Sequence, residues 1–101
     1  NTGLVTNMSD MFKNNTAFNQ NIGGWNVSSV TLMDELFYGA TAFNQDISGW
    51  NVSSVTNMTE IFRDASAFDQ DLSGWDVSNV VTYTNYDLGA TSWQAAHKPS
   101  F

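Results

Sequence analysis

The sequence contains no cysteine, so neither a disulfide framework nor a thiolate metal site is available to this chain. Charge is scarce too: 13% of the 101 residues are charged, with three Lys or Arg against ten Asp or Glu. The formal net charge of -7 offers no basic footprint for nucleic acid or for an anionic membrane surface. No apolar run approaches the roughly 18 residues that a membrane span needs, so no membrane insertion is expected of this segment. Catalytic constellations are missing as well. The single histidine, His97, has no serine nucleophile motif near it, and no glycine-rich phosphate loop occurs. Asp34 and Glu35 are adjacent on a stretch with helical spacing, which turns them in different directions, away from a shared substrate. A non-enzymatic protein without a cofactor is expected.

What the chain does have is hydrophobic content, 42% with 14% aromatic, enough for a core, and a sentence written three times. "FNQNIGGWNVSSVTLM" from Phe18 returns as "FNQDISGWNVSSVTNM" from Phe43 and as "FDQDLSGWDVSNVVTY" from Phe68. The step from Trp25 to Trp50 equals that from Trp50 to Trp75, and no residue is inserted or deleted between the copies. The same step links Val30, Val55 and Val80, then Phe12, Phe37 and Phe62, then Phe18, Phe43, Phe68 and Trp93. A fixed period with apolar character held in each column predicts stacked repeats.

Within one repeat, Ile47-x-x-Trp50-x-Val52 has the L-x-x-L-x-L spacing of a leucine-rich-repeat strand. Val55, Met58, Ile61, Phe62 and Ala65 follow a rhythm of three and four, which predicts a short helical stretch. The expected fold is therefore an α/β solenoid, leucine-rich-repeat-like, of about four 25-residue coils, each a short parallel strand plus a short helical stretch. One repeat domain covers 1-101: a partial coil 1-24, coils 25-49 and 50-74, and 75-101 as a last strand with a degenerate C-terminal cap. Asp87 in the phenylalanine column and Pro99 mark that cap. "NTGLVTNMSDMF" reads as the middle of a repeat, so a piece of a longer array is expected, with an unpaired strand edge at Asn1 to Leu4.

The run "WNVSSVTNMTEIFRDASAFDQDLSGWDVSNV" resembles the bacterial surface-protein repeat of the BspA-like leucine-rich-repeat family, found also in Mycoplasma lipoproteins. The likeness spans nearly the whole chain on W-x-V-S-x-V-T-x-M, then M-F-x-x-A, then F-x-Q. It implies an extracellular, cell-surface location and an adhesive or interaction role, and no shared catalytic site.

Ten aromatics fill three columns, and each buries ~150–250 Å² when enclosed. A core role is expected of them; the alternative is an exposed tryptophan ladder for sugar rings. If Trp50 and Val52 point inward, three rows point outward: Gly24, Gly49 and Gly74; Asn26, Asn51 and Asp76; Ser28, Ser53 and Ser78. The glycines precede tryptophan where backbone turns or approaches closely. This flat polar face is the candidate site for a surface protein or a glycan receptor. A second reading is a structural subunit that stacks on neighbouring copies of itself into an extracellular fibre. A third, ice binding, rests on the small ladder Thr16, Thr41, Ser66 and Thr91. Asp46, Asp69 and Asp71 form the one acidic group for which calcium is considered, although no glycine-punctuated calcium loop is present; otherwise no metal is expected. Five N-x-S/T sequons, at Asn7, Asn14, Asn26, Asn51 and Asn57, suit glycans in a secreted eukaryotic protein, but the repeat itself dictates three of them.

Overall fold

A computed structural model describes residues 4–101. The chain does return over itself once in every repeat, but not as alternating strand and helix. Among the described residues the only helix is one turn of 3-10 type, Ala95–His97. The only bridges are isolated parallel ones, Asn7 to Leu32, Leu32 to Asn57 and Asn57 to Thr82. Among the described residues there is no sheet. The α/β solenoid with leucine-rich-repeat strands is therefore corrected to a stack of turns.

Local hydrogen bonds explain the difference. Where a strand was expected, the Trp50 amide donates to the Ile47 carbonyl at 3.1 Å and Val55 to Val52 at 3.0 Å. Where a helix was expected, Ile61 donates to Met58, Arg63 to Glu60 and Ala65 to Phe62, at 3.0–3.2 Å. Phe68 to Ala65, at 3.1 Å, closes the series. All these bonds join a residue to the one three positions earlier, the mark of β-turns rather than of an α-helix. Successive turns repeat every three or four residues, so they place Met58, Ile61, Phe62 and Ala65 inside as a helix would. The apolar rhythm is common to both.

The amides between these turns make the stack. Glu35 donates to Thr59, Phe37 to Ile61 and Gly39 to Arg63; one coil later Glu60 donates to Thr84, Phe62 to Tyr86 and Asp64 to Leu88, all at 2.8–3.0 Å. The segments 6–14, 31–39, 56–64 and 81–89 thus lie over one another, each tied to the next by every second amide. Residues with positive φ recur at every fourth position of these segments. They fall in two columns: Asp10, Glu35, Glu60 and Asn85 at φ 53–62°, and Asn14, Gly39, Asp64 and Gly89 at φ 59–81°. Asn, Asp and Gly are the residues that enter this region most readily; Glu35 and Glu60 are held there by the stack.

The second of those columns alternates large and small. A Cβ added at Gly39 would strike the Asn14 side chain, and one at Gly89 the Asp64 side chain. Each amide or carboxylate therefore leans over a glycine in the coil above.

Inside, the apolar columns form one core with no polar side chain buried in it among the described residues. Phe12, Phe37 and Phe62 stack with centroids 5.8 and 5.3 Å apart, and Phe18, Phe43 and Phe68 at 5.6 and 5.7 Å. Trp50 and Trp75 lie parallel at 6.5 Å. Each indole N–H is satisfied by backbone: Trp50 Nε1 donates to Ile22 and Trp75 Nε1 to Ile47, at 3.0 and 3.1 Å. These tryptophans are core, which closes them to sugar rings.

At the C-terminal end, Trp93 meets Phe62 and Phe68 edge-on, and the tail folds back. Phe101 stacks on Tyr83 at 4.4 Å and meets Tyr86 at 4.7 Å, while Lys98 Nζ donates to Asp87 Oδ2 at 2.9 Å. The open edge expected at Asn1 to Leu4 lies, as far as Gly3, outside the described residues.

Candidate functional site

The expected face is exposed, but it is built of turns. Gly24, Gly49 and Gly74, together with Asn26, Asn51 and Asp76, are exposed; Ser28 and Ser53 are half-buried, and Ser78 is exposed. Among the described residues no side-chain bond joins Asn51 to Asp76, its counterpart in the next coil, and the bonds common to the row are local. The Oδ1 of each Asn or Asp takes the amide of the serine two residues on, at 3.0–3.1 Å, and the same serine's hydroxyl at 2.6 Å, in all three coils. This is an Asx turn, the local competitor of strand pairing. Between coils here, Asn79 Nδ2 donates to the Ser53 carbonyl at 2.6 Å.

The glycines of the row are not required by the backbone. None has positive φ, and a Cβ added at Gly24, Gly49 or Gly74 would meet nothing within 4 Å. The backbone does turn there, each glycine lying inside a turn closed by the following tryptophan amide at 3.0–3.1 Å, but nothing approaches closely, so these three positions are bare.

The acidic residues are dispersed onto separate partners. The Ser48 hydroxyl and amide hold the Asp46 carboxyl below its ordinary pKa, and those of Ser73 do the same for Asp71. Asp76 is lowered in the same way by Ser78. Asp69 takes the Gln94 amide at 3.1 Å, the Gln94 carboxamide at 2.9 Å and His97 Nδ1 at 3.1 Å, and its pKa falls for those reasons in that order. Hydrogen bonds to the charged form explain all four directions. Asp69 belongs to a ladder that sequence reasoning missed. Asn19 Oδ1 takes the Asn44 amide and the Gln45 side chain, and Asn44 Oδ1 takes those of Asp69 and Gln70, at 2.9–3.0 Å. The repeated F-N-Q and F-D-Q were its signal.

The calcium candidate Asp46, Asp69 and Asp71 is thus not assembled. Among the described residues, the acidic oxygens that lie within 4.8 Å of one another belong to Asp10, Asp34 and Glu35. That also corrects the view that Asp34 and Glu35 diverge, since positive φ at Glu35 replaces the helix. Protein groups already serve the cluster: Lys13 Nζ sits 2.8 Å from Glu35 Oε1, and the Ser9 hydroxyl donates to Asp34 at 2.6 Å. Lost hydration, and then the Glu35 charge, raise the Asp10 pKa.

A further surface was unforeseen. An open groove of about 390 Å³ runs along the last coil, lined by Val81 through Asp87. No helix of the described residues is long and apolar enough to cross a membrane.

Over residues 1–98 the chain matches the family described as Mycoplasma protein of unknown function, DUF285, and it belongs to that family. No curated protein and no solved structure matches it. The family agrees with the Mycoplasma side of the repeat resemblance; it does not establish the leucine-rich-repeat side.

Proposed function

We propose that this chain is a non-enzymatic interaction module that works at the cell surface and binds a protein partner through the face carrying Gly24, Asn26, Gly49, Asn51, Gly74 and Asp76. The observation that carries the reading is the bare glycine row. Nothing in the packing or backbone demands glycine at these three equivalent positions, so a flat strip is left where another molecule can lie close. Beside it, the Asx turns fix the Asn and Asp side chains before any partner arrives, which lowers the ordering cost of binding.

The partner's chemistry follows from charge and from the aromatic columns. Segments 19–30, 44–56 and 69–80 contain no Lys or Arg, while Asp46, Asp71 and Asp76 are exposed there with lowered pKa values. A polar protein surface carrying basic groups complements such a face. A glycan is the poorer fit, because Trp50 and Trp75 are enclosed and Trp25 is half-buried, so no tryptophan ladder is open to sugar. The likeness of the repeat to bacterial surface proteins and the family membership support the extracellular setting.

The test compares capture of cell-surface proteins by the parent chain, Asn51→Arg and Thr41→Arg, the last an exposed position elsewhere on the stack. Affinity should fall by more than about tenfold for Asn51→Arg alone. Equal losses from both variants, or a loss only from Thr41→Arg, would remove the assignment.

A further inference from the structure

Charge gathers along one side of the stack, away from its ends. In three successive coils a β-turn is closed by the Lys13, Tyr38 and Arg63 amides on the Asp10, Glu35 and Glu60 carbonyls, at 3.1–3.2 Å. The residues between, Leu36 with Phe37 and Ile61 with Phe62, are buried in the middle coils, so the turn ends stand outward as two columns. One column, Asp10, Glu35 and Glu60, is acidic throughout; the other, Lys13, Tyr38 and Arg63, places an aromatic between two cations. The columns hold each other. Lys13 Nζ lies 2.8 Å from Glu35 Oε1, Arg63 pairs with Glu60, and the Tyr38 ring has Lys13 and Arg63 at 5.1 and 5.3 Å. Groups fixed in this way pay little further ordering cost when a second surface arrives.

Glutamate is a costly choice in the acidic column. Asp10, Glu35, Glu60 and Asn85 all have positive φ, at 53–62°, a region that Asp and Asn enter more readily than Glu. The turn forms equally with Asp10 and with Asn85, so the backbone does not call for Glu35 or Glu60. Strain held at an outward position points to work done by the side chain.

We infer that this side of the stack is the contact between two copies of the chain, face to face and coil beside coil. Two such faces can meet about a two-fold axis in two ways. With the axis along the stack, coils keep their order and the columns exchange. Asp10 then faces Lys13 of the second copy, Glu35 faces Tyr38, and Glu60 faces Arg63. The other acids of this side, Asp34 and Asp64, face Gly39 and Thr59. With the axis across the stack, the columns are kept and the coils reverse. Asp10 then meets Glu60, Glu35 meets its own copy, and Lys13 meets Arg63. Every pair in that second arrangement repels, so the charge pattern admits the first alone. Among the described residues the Tyr38 hydroxyl has no hydrogen-bond partner, and in the first arrangement it donates to Glu35 of the second copy. The net charge of -7 on each chain opposes pairing and keeps it reversible. Salt near 0.15 M screens that repulsion beyond about 8 Å and leaves the direct pairs to decide.

Sedimentation of the full chain between about 10 μM and 1 mM, at about 0.15 M salt, tests this. The parent chain should pass from monomer to dimer across that range. Glu60→Arg alone sets two guanidinium groups against each other at the contact, and Arg63→Glu alone sets two carboxylates. Each variant should associate at least about tenfold more weakly than the parent. Their equimolar mixture should dimerise as the parent does, because the exchanged charges then meet, and that recovery requires both variants to be folded. A chain carrying both substitutions, which restores the ion pair within the turn, should dimerise with itself. A parent chain that stays monomeric throughout overturns the proposal. So does undiminished association of either variant alone, or a mixture no more associated than its components. Stronger association of Arg63→Glu alone would mean the reversed arrangement, in which that position meets Lys13, and overturns it too. The glycine face is untouched by these substitutions, so partner capture through Asn51 is measured independently.

Discussion

The middle coil, 50–74, and the last, 75–101, share a backbone and differ in what covers them. In the middle coil Phe62 packs against Phe37 below, Phe68 and Trp75 beside it, and Trp93 above, with centroids 4.4–6.4 Å away. In the last coil the same column holds Asp87, bonded to Lys98, and a tail supplies Phe101 as substitute covering. Yet the turns are the same: Tyr86 to Tyr83, Leu88 to Asn85 and Ala90 to Asp87, at 3.0–3.3 Å. The turn series therefore needs one neighbouring coil and its own dihedrals, not an aromatic in each inner column. The core residues supply the stability, and the backbone pattern supplies the shape.

The largest effect that would sharpen this contrast is at Phe62. Phe62→Ala should cost ~3–5 kcal/mol by opening a cavity between coils, whereas Asp87→Ala should cost under ~1 kcal/mol, since its ion pair is only partly covered. Urea unfolding of both variants decides it, and equal losses would mean the last coil is as tightly supported as the middle one. Next come the glycines with positive φ. Gly39→Ala and Gly89→Ala should each lose ~1–2 kcal/mol from backbone strain and from the opposing Asn14 or Asp64 side chain. If only Gly39→Ala is costly, the backbone is not equivalent in the two coils. Gly49→Ala and Gly74→Ala should stay within ~0.5 kcal/mol of the parent, or gain slightly, because nothing opposes the added methyl.

The smallest effect is an acid-driven release of the tail. Asp69 has a lowered folded pKa because it accepts bonds from Gln94 and His97. Its contribution is present above the ordinary carboxylate value near about 4 and drains as pH falls through the lower folded value. The Leu72 amide, which donates to the His97 carbonyl at 2.8 Å, should then lose exchange protection before the Phe37 amide does. Simultaneous loss of both would show that the tail is not a separate unit.

Much of this was legible in the sequence, and the limit was physical. The constant repeat length and the Trp, Phe and Val columns were plain, because burial constrains residue type at every turn of the stack. Conformation was not, since apolar spacings of three and four serve a helix and a series of turns alike. Asn14, Gly39, Asp64 and Gly89 carried a readable hint, being the types that enter positive φ most readily. Glu35 and Glu60 carried none, because only the bonds to the next coil keep them there. On the candidate face, exposure of the Asn and Gly rows could be read from alternation with Trp and Val. The Asx turns were also written in the N-V-S spelling, but a strand pattern masks them. That the Tyr83, Asn85, Asp87 and Gly89 amides have no acceptor among the described residues could not be seen at all, because every residue has an amide and only the fold decides which ones are bonded.

The bonds between coils span nearly a whole repeat of the chain, as from Phe37 to Ile61, and that fixes how the molecule must form. Bringing the ends of such a loop together costs roughly 3 kcal/mol of chain entropy, and no single amide bond, worth about 1 kcal/mol net, repays it. A lone coil has nothing to stack on and is a marginal object in water. Folding should begin only when two neighbouring coils meet with their phenylalanine columns together, giving a two-coil nucleus that later coils extend one at a time. The terminal coils would then be last to arrive and first to fray.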